Sequence, residues 1–595
     1  MTTYLYSGDK YTAEVSAEHI LIRQDGRKLV RLLPTTAVGT VTKVPEDEVV
    51  EVAHDKWEGF DDPHFVCRDD DAEKVTSFAP LADGVYRWTT RSANWEKEYI
   101  LECDADGFSY SVSITGEGSV GRVDYFGGVA DEASYGSDYY FCEWFYPCPG
   151  CGPEAPVRAS SALANRTFYE LLIPPCHVYS FRTEEVPGRF GLGLIAKEGE
   201  YNFIHYDYRK MSASGRSGFC LSVDLEGHTK VSGTFTLPKI RAFFGDDDLD
   251  IVRRYSAYHF ASGLCRPHSD APRPRWWYGP IVCGWNEQGA LAKEPGETRS
   301  QQGMASQDVY MRIADTIAAH NIRPTMLIID DKWQRSYGDC VPDPERWQDM
   351  RAFTDEMHRR GIRVLLWFRM WGGEGLPDDE KMPGEGIPYH KIRLNYGPYA
   401  DPTNEKYRSH LKELIHLLLS GDEDCMNCDG FKLDYTLVMP YGKSAKSAGG
   451  QYGAELTKEL YKLIYTTAKG IKPDCLINGS PCHPYFAEVC DMARVHDYAW
   501  TCRNESEEMA FRAKLFDAAM PGVLIDTDSA NGGDSDDAMR YYRNQPKIGV
   551  PDIYQFTNDG VLDLTKDDWD EIERVFNEYS DRMDRLYGKD DTIIS

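Results

Sequence analysis

The second half of the chain alternates short apolar runs with helical segments, and this alternation constrains the fold more than any other feature. Amphipathic stretches such as NEKYRSHLKELIHLLLS and GAELTKELYKLIYTTAKG separate runs of strand length. Strands that alternate with helices form parallel sheets. The eight predicted strands lie at 279–285, 325–333, 363–371, 430–436, 475–481, 493–498, 522–529 and 551–557. Eight such units in roughly 310 residues predict a (β/α)8 TIM barrel.

The first half of the chain has another pattern, in which apolar and polar residues alternate in one segment after another. Segments such as GVYRWTTRSA and EKEYILECDADGFSYSVSITG end at Gly, Asp or Pro turns, as the strands of β-sandwiches do. One linking helix is predicted over 247–263, and the proline-rich CRPHSDAPRPRWWYGP follows it. We therefore predict an N-terminal, supersandwich-like β-sandwich domain over 1–270 and a catalytic barrel over 275–595.

Charge and composition argue against several classes of partner. The 595 residues carry a formal net charge of -30, and an acidic surface repels nucleic acid and anionic membranes. Neither a signal peptide nor a run of 18 apolar residues is visible. The 16 cysteines are typical of free thiols in a reducing compartment. We predict a cytoplasmic protein without nucleic-acid or membrane partners, and leave open whether it is a homo-oligomer.

Two cysteine pairs have the spacing of metal ligands. They are CPGC, with Cys148 and Cys151, and CMNC, with Cys425 and Cys428. The two pairs lie far apart, and neither shows a second pair or a histidine partner in its surroundings. Ordinary buried or loop cysteines are therefore favoured over a zinc site. We predict no metal and no cofactor.

Charged residues gather at the carboxyl ends of the predicted barrel strands, where the active sites of TIM barrels lie. In the strand GFKLDYT, Lys432 and Asp434 are two residues apart and point to the same face. Burial of such a pair is costly unless it has a role. The full set is Asp330, Asp331, Trp367, Arg369, Lys432, Asp434, Arg494, Asp497, Asp526 and Asp528. It predicts an active site rather than a group of solvated loop charges.

Two carboxylates on different strands suit glycoside hydrolysis by a retaining mechanism, in which one attacks the sugar and the other protonates the leaving oxygen. Asp434 is the predicted nucleophile, because the charge of Lys432 beside it can keep that carboxylate ionised. A structural ion pair is the alternative for these two residues. Asp497 is the favoured acid/base, with Asp526 and Asp528 as alternatives.

The order of motifs along these strands resembles the retaining α-galactosidases (melibiases) of glycoside hydrolase families 36 and 27, clan GH-D, with family 36 closer. The motifs are CGWNEQG, IIDDKW, LLWFRMW, FKLDY, INGSP and IDTD, and they cover about residues 275–590. The resemblance implies Asp434 as nucleophile and Asp497 as acid/base. It implies a small galacto-configured oligosaccharide or glycoside as substrate, held by Trp285, Asp330, Asp331, Trp367, Lys432 and Arg494.

Arg369 departs from the pattern of that family. A guanidinium at a strand end can clasp a carboxylate or sulfate on a substrate; an ion pair with Glu374 or a barrel aspartate is the alternative. Other functions left open are a transglycosidase of the raffinose-synthase type, a clan GH-D hydrolase for a different, anionic glycoside, and a sugar-binding protein on a decayed barrel.

Overall fold

The structure is a computed structural model of the chain. It describes residues 2–48, 65–68, 75–127, 137–140, 143–145, 176–184, 186–203, 206–211, 218–383, 387–388, 399–436, 439–495, 505–528 and 535–588. The CPGC motif and Asp497 lie outside the described residues.

Antiparallel strands form the N-terminal domain, and 17 of them are described. They are β1 (Tyr4–Ser7), β2 (Thr12–Val15), β3 (Ile20–Gln24), β4 (Arg27–Leu32), β5 (Thr36–Lys43), β6 (Phe65–Arg68), β7 (Ser77–Ala82), β8 (Val85–Arg91), β9 (Trp95–Cys103), β10 (Phe108–Tyr125), β11 (Ser137–Tyr139), β12 (Glu143–Phe145), β13 (Val178–Arg182), β14 (Arg189–Ile195), β15 (Tyr206–Met211), β16 (Gly218–Thr236) and β17 (Lys239–Gly245). The long strands β10 and β16 pair with each other over most of their length.

Alternation of side chains explains the core of this domain. In β9, Trp95, Tyr99 and Leu101 are buried, while Glu96 and Glu98 between them are exposed. Successive residues of a strand point to opposite faces, so one face of β9 packs on the core and the other meets water. The predicted antiparallel domain is confirmed in this coarse form. Its arrangement as a sandwich and the boundary at 270–275 stay predictions.

Helix α1 (Asp248–Ala261) links the two domains and lies within the range predicted for it. The Asp247 side chain accepts a hydrogen bond from the Asp250 amide and caps the first turn. Tyr255 on this helix receives a hydrogen bond from His483 of the barrel domain, with Oη and Nε2 3.1 Å apart. The helix is therefore part of the contact between the domains.

Eight parallel strands form the second domain, in the order in which they occur along the chain. They are β18 (Ile281–Cys283), β19 (Met326–Ile329), β20 (Arg363–Arg369), β22 (Gly430–Asp434), β24 (Leu476–Gly479), β25 (Met492–Arg494), β26 (Leu524–Asp526) and β27 (Asp552–Ile553). The last strand pairs with the first, and a bridge from Asp526 to Val550 joins the seventh strand to the segment before the eighth. The sheet is therefore closed, and the predicted barrel is confirmed.

Helices surround the barrel strands. They are α2 (Trp285–Leu291), α3 (Gln307–Ala319), α4 (Met350–Arg359), α5 (Glu405–Leu419), α6 (Gly453–Ile471), α7 (Glu505–Ala519), α8 (Ser535–Ile548) and α9 (Lys566–Tyr587). The short strands β21 (Ile387–Pro388) and β23 (Pro440–Tyr441) pair outside the barrel. Between β24 and β25, where every residue is described, the connection holds only one 3-10 turn, Pro484–Phe486. No helix in the described part of the chain is long and apolar enough to cross a membrane.

Candidate active site

Asp434 ends strand β22, and three donors surround its carboxylate. Arg494 Nη2 and the Tyr435 amide donate to Oδ1 at 3.0 and 2.8 Å. Trp367 Nε1 donates to Oδ2 at 3.0 Å. These donors stabilise negative charge on the carboxylate. The side chain keeps 21% of its accessible surface, so it is positioned by its neighbours and still reachable from outside the barrel.

Lys432 pairs with an aspartate, but that aspartate is Asp330 rather than Asp434. Its Nζ donates to Asp330 Oδ2 at 2.7 Å, and both side chains are 4% exposed. Burial is the largest single influence and opposes the lysine charge, but the surrounding negative groups, Asp330 first among them, together hold the pKa of Lys432 well above its usual value. A lysine side chain is long enough to reach from β22 to β19. The direct partner of Lys432 is thus Asp330, while its charge still acts on Asp434 over a longer distance, and Arg494 is the cation that donates to Asp434.

Asp330 is tied into the barrel wall by further contacts. Cys283 Sγ donates to its Oδ2 at 3.0 Å, and the Asp331 amide donates to its Oδ1 at 2.8 Å. Both oxygens of Asp330 thus accept hydrogen bonds from the protein.

Asp331 differs from its neighbour. Its Oδ2 accepts a hydrogen bond from Tyr337 Oη at 3.3 Å. Its Oδ1 is buried and has no hydrogen-bond partner of ordinary geometry among the described residues, although the Gln302 side chain lies near this carboxylate and favours its ionised form. Burial and the nearby Asp330 carboxylate raise the pKa of Asp331 to about 6. Of the two adjacent carboxylates, Asp331 is the one with an oxygen left for a ligand.

Arg494 connects the nucleophile candidate to the end of strand β26. Its Nη1 donates to Asp528 Oδ2 at 3.0 Å, and Asp528 Oδ1 accepts a second bond from Tyr554 Oη at 2.7 Å. Asp526 accepts from Asn478 Nδ2 at 2.6 Å. Burial and then the Asp528 carboxylate raise the pKa of Asp526 to about 6. Asp526 and Asp528 are 0% exposed, which disfavours either as the group that protonates a leaving oxygen.

Aromatic side chains flank the nucleophile candidate. Trp367 is 1% exposed, and its ring lies edge-on to Tyr435, with centroids 5.9 Å apart. Trp285 begins helix α2 directly after β18 and is partly exposed. Sequence analysis identified the two tryptophans but assigned no role to Tyr337, Tyr435 or Tyr554, because a tyrosine near a strand end does not by itself point to any chemistry.

Arg369 stands opposite Asp434 in the register of β20 and β22. Its guanidinium carbon lies 4.4 Å from the ring centroid of Tyr337 and 5.3 Å from that of Tyr435, distances typical of cation–π contacts. The predicted alternative partner, Glu374, accepts a hydrogen bond from Lys332 Nζ at 2.8 Å, and the charge of Arg369 also acts on this carboxylate. Lys332 Nζ in turn lies 3.7 Å from the Tyr337 ring centroid. Two cations thus contact one tyrosine ring near the nucleophile candidate.

Three residues just after the ends of barrel strands have left-handed backbone conformations. They are Trp371, Tyr435 and Asp528, with φ of 65°, 60° and 59°. None is a glycine, so each conformation carries a cost of about 1–2 kcal/mol. Strained residues of this kind cluster at functional sites, and all three follow strands whose ends carry the site.

The first part of the barrel matches a family model. Residues 272–472 match the family model described as the glycosyl hydrolases family 31 TIM-barrel domain. The "A type blood alpha-D-galactosamine galactosaminidase" of Flavonifractor plautii is 25% identical over 178 residues, which are 27% of this chain and 16% of that protein. The match therefore spans only a small part of that relative.

Solved structures share the fold at low sequence identity. A family 31 sulfoquinovosidase from E. rectale has a TM-score of 0.59 and 12% identity, over 97% of this chain and 83% of that one. The cycloalternan-forming enzyme from Listeria monocytogenes has a TM-score of 0.52 and 11% identity, over 98% of this chain and 64% of that one.

These findings correct the resemblance to families 36 and 27 of clan GH-D, since the segment from Trp285 to Asp434 matches family 31 instead. The motifs behind that resemblance are short groups of Asp, Lys and Trp at strand ends. Barrels that perform the same chemistry need such groups whatever their family, so the motifs indicate the reaction more reliably than the lineage. Over residues 272–472 the barrel is therefore similar to the glycosyl hydrolases family 31 TIM-barrel domain.

Proposed function

We propose that the protein is a retaining glycoside hydrolase with Asp434 as nucleophile. The observation that carries this proposal is the Asp434 carboxylate itself. It lies at the end of a barrel strand, keeps 21% exposure, and accepts hydrogen bonds from Arg494, Trp367 and the Tyr435 amide. A nucleophile has to be ionised, oriented and accessible at once.

The reaction proceeds in two displacements. Asp434 Oδ bonds to the anomeric carbon while the glycosidic bond breaks, and a carboxylic acid protonates the departing oxygen. Water then replaces the Asp434 ester, giving its proton to the same second carboxyl group. We propose Asp497 for that group because the sequence places it three residues after Arg494, the last residue of β25. A retaining enzyme needs the two carboxyl groups about 5–5.5 Å apart.

The proposed substrate is a small α-galactoside or another galacto-configured glycoside. Asp331 Oδ1 supports recognition of an axial hydroxyl, and the partly exposed Trp285 offers an apolar face for the ring. Trp367 is buried, so its proposed role is to hold the Asp434 carboxylate through its indole N–H. Asp330 is engaged with Lys432, so its proposed role is to fix the barrel wall beside Asp331. The Flavonifractor plautii relative is a galactosaminidase by name. Transfer to another sugar, as in a raffinose-synthase-type transglycosidase, uses the same carboxylates, and the ratio of transfer to hydrolysis products distinguishes the two.

The test is a screen of p-nitrophenyl α- and β-glycosides with wild type and Asp434→Ala. We expect a galacto-configured α-glycoside to be preferred over its gluco counterpart by at least about 100-fold. Asp434→Ala should lose several orders of magnitude in kcat, and azide should restore turnover as the glycosyl azide of inverted configuration. Asp424→Ala, on a loop at the other end of the barrel, is the control. Near wild-type turnover of Asp434→Ala would refute the assignment.

A second candidate is an anionic glycoside, favoured by the two cations at Tyr337. Arg369 and Lys332 lie 4.4 and 3.7 Å from that ring centroid, close to Asp434 in the barrel. Arg369→Ala should then lower kcat/KM on carboxylated or sulfonated aryl glycosides at least about 10-fold more than on neutral ones. Equal losses on both would leave Arg369 a structural role only.

A further inference from the structure

The loop of residues 420–429 brings three potential metal ligands together at the amino-terminal rim of the barrel. It follows helix α5 and leads into strand β22. His416 in the last turn of α5, Asp422 and Cys425 each offer one ligand atom, and these atoms all lie within 4.8 Å of one another. The proposed active site is at the opposite rim, since site residues in such barrels lie at the carboxyl ends of the strands.

The distance between two of these ligands fits a tetrahedral ion. His416 Nε2 and Asp422 Oδ2 are 3.3 Å apart. Zinc bonds of about 2.0–2.2 Å at tetrahedral angles place two such atoms about 3.4 Å apart. A thiolate bond of about 2.3 Å requires about 3.6 Å to the other ligands. The sulfur of Cys425, within 4.8 Å of the other two ligand atoms, needs to move by about 1.2 Å at most.

The backbone that carries these residues is fixed by Arg351. Its Nη1 donates to the carbonyl oxygens of Asp422 and Cys425 at 2.7 and 3.0 Å. The Cys425 amide also donates to the Asp422 carbonyl at 3.0 Å. A guanidinium that binds both carbonyls holds the two ligand residues in one arrangement, so binding an ion requires little ordering of the loop.

We propose that His416, Asp422 and Cys425 form a structural site for a zinc-like divalent cation. Imidazole and thiolate ligands favour zinc and neighbouring transition metals over calcium or magnesium. The side chains of His416 and Asp422 are 52% and 71% exposed, so water can complete the fourth position. On binding, the Cys425 thiol releases its proton to solvent and bonds as thiolate.

This site differs from the one that the CMNC spacing suggests. Cys428 is fully buried, and its Sγ lies 3.7 Å from Thr354 Oγ1 on helix α4. Cys428 is not one of the three proposed ligands. The histidine of that group, His416, lies nine residues before Cys425. The expectation that CMNC lacks a histidine partner is therefore wrong, because helix α5 and its following loop fold back on each other.

The proposed ion would fasten the end of α5 to the loop that enters the strand of Asp434. Its role is stability, which depends on free ion concentration as ligand binding to the native state does. It makes no contact with the proposed catalytic residues. The proposal therefore stands or falls independently of the glycosidase assignment.

The experiment measures Zn²⁺ and Co²⁺ binding to metal-free protein. We expect the wild type to bind one Zn²⁺ whose affinity falls at least about 100-fold in Cys425→Ser and in His416→Ala, since even losing an outer-shell partner costs about 10–100-fold. Bound Co²⁺ should show a thiolate charge-transfer band that Cys425→Ser abolishes. Cys67→Ser, at an exposed cysteine of the N-terminal domain, should bind like wild type.

Thermal unfolding gives a second measure. Zn²⁺ should raise the Tm of wild type and of Cys67→Ser, but not of His416→Ala, whose exposed side chain makes misfolding of the variant a minor risk. Unchanged Zn²⁺ affinity in both ligand variants, a persistent cobalt–thiolate band in Cys425→Ser, or no Zn²⁺ binding by wild type would each overturn the proposal.

Discussion

Arg494 holds two carboxylates at once, and this determines what its replacement should do. It donates to Asp434 and Asp528 at 3.0 Å each while being 2% exposed. Lysine keeps the charge but not the planar fork that reaches both. We expect Arg494→Lys to lower kcat by at least about 100-fold. We also expect the free energy of unfolding to fall by about 3 kcal/mol, the lower end of the cost of breaking a buried pair.

Enzyme kinetics and urea unfolding measure both effects of Arg494→Lys. Arg543→Lys is the matched control, since Arg543 pairs with Glu571 on exposed helices at 2.7 Å. Such exposed pairs contribute about 0–1 kcal/mol, so this control should leave activity and stability near wild type. An Arg494→Lys enzyme of full activity would show that Asp434 does not depend on this guanidinium.

Asp331 gives the proposed site a pH dependence of defined sign. Burial and Asp330 raise its pKa to about 6, above its ordinary value. The folded state therefore binds more protons than the unfolded state between about pH 4 and pH 6, and stability falls as the pH rises through that window. A hydroxyl donor needs the ionised acceptor, so kcat/KM should rise through about pH 6 while stability declines.

Asp331→Asn separates these two effects. It should be more stable than wild type at neutral pH, by up to about 3 kcal/mol, and should lose the acid limb of the kcat/KM profile along with most activity. Asp526→Asn is the control, because the pKa of Asp526 is also raised to about 6 but this carboxyl faces Asn478. Persistence of the acid limb in Asp331→Asn would assign that limb to another group.

At the scale of elements, strand β22 is followed directly by a residue with unfavourable backbone geometry. Tyr435 has φ of 60°, which glycine adopts freely and other residues do not. Both Tyr435→Gly and Tyr435→Ala remove the ring, but only the first relieves the backbone. We expect the glycine variant to be more stable than the alanine variant by about 1 kcal/mol.

Urea unfolding measures the stability of the Gly and Ala variants at Tyr435 and, for comparison, of the Gly and Ala variants at Glu98. Glu98 lies on the exposed face of β9, where glycine should instead be less stable than alanine by about 0.5–1 kcal/mol. The same order of stability at both positions would mean that backbone conformation is not what distinguishes Tyr435.

The positions of the barrel strands could be predicted from the sequence, but their ends could not. The predicted strand 551–557 is observed only as Asp552–Ile553. The amides of Phe556 and Thr557 donate to the Glu287 carboxylate at 2.7 and 2.9 Å instead of to a neighbouring strand. A side chain some 270 residues away in sequence thus takes the hydrogen bonds that would continue the strand. The residues around 551–557 carry no pattern from which this contact could be predicted.

In the candidate site, too, local features could be predicted from the sequence and long-range contacts could not. Periodicity and strand ends sufficed to select Lys432 and Asp434, because those signals are local. The hydrogen-bond partner of Lys432 depends on how far its side chain reaches across the closed barrel. In the structure Lys432 donates to Asp330 and not to its strand neighbour Asp434. Short motifs likewise pointed to glycoside hydrolase family 36, whereas residues 272–472 match the family 31 TIM-barrel domain.

At the scale of the whole molecule, a bulge in β16 fastens the N-terminal domain to the loop after β22. His228 Nε2 donates to the Gly442 carbonyl at 3.0 Å, and its ring stacks on Tyr452 at 3.4 Å. The Gly442 amide donates to Glu226 Oε1 at 3.2 Å. His228 and Glu226 have side chains only 4% and 6% exposed. This contact joins the domains on the side of the proposed active site.

His228 should therefore make the contact between the domains sensitive to acid. Burial, and then the charge of Lys443, lower its pKa to about 3, while Glu226 Oε2 lies 3.8 Å away. The unfolded state binds a proton at this residue below about pH 6.5 and the folded state does not, so the stability contributed here is lost as the pH falls. His228→Phe keeps a stacking ring but cannot titrate or donate to Gly442.

At about pH 7.5 the variant should be less stable by about 1–3 kcal/mol, because the Gly442 carbonyl loses its donor. At about pH 5 this difference in the free energy of unfolding should shrink by about 2 kcal/mol, because only in the wild type does folding then require a histidine to lose its proton. Asn202→Ala is the control, as Asn202 Nδ2 donates to the Gly450 carbonyl at 3.4 Å across the same domain contact and does not titrate. If the loss of stability caused by His228→Phe is the same at both pH values, as expected for Asn202→Ala, then His228 is not the acid-sensitive group of the contact.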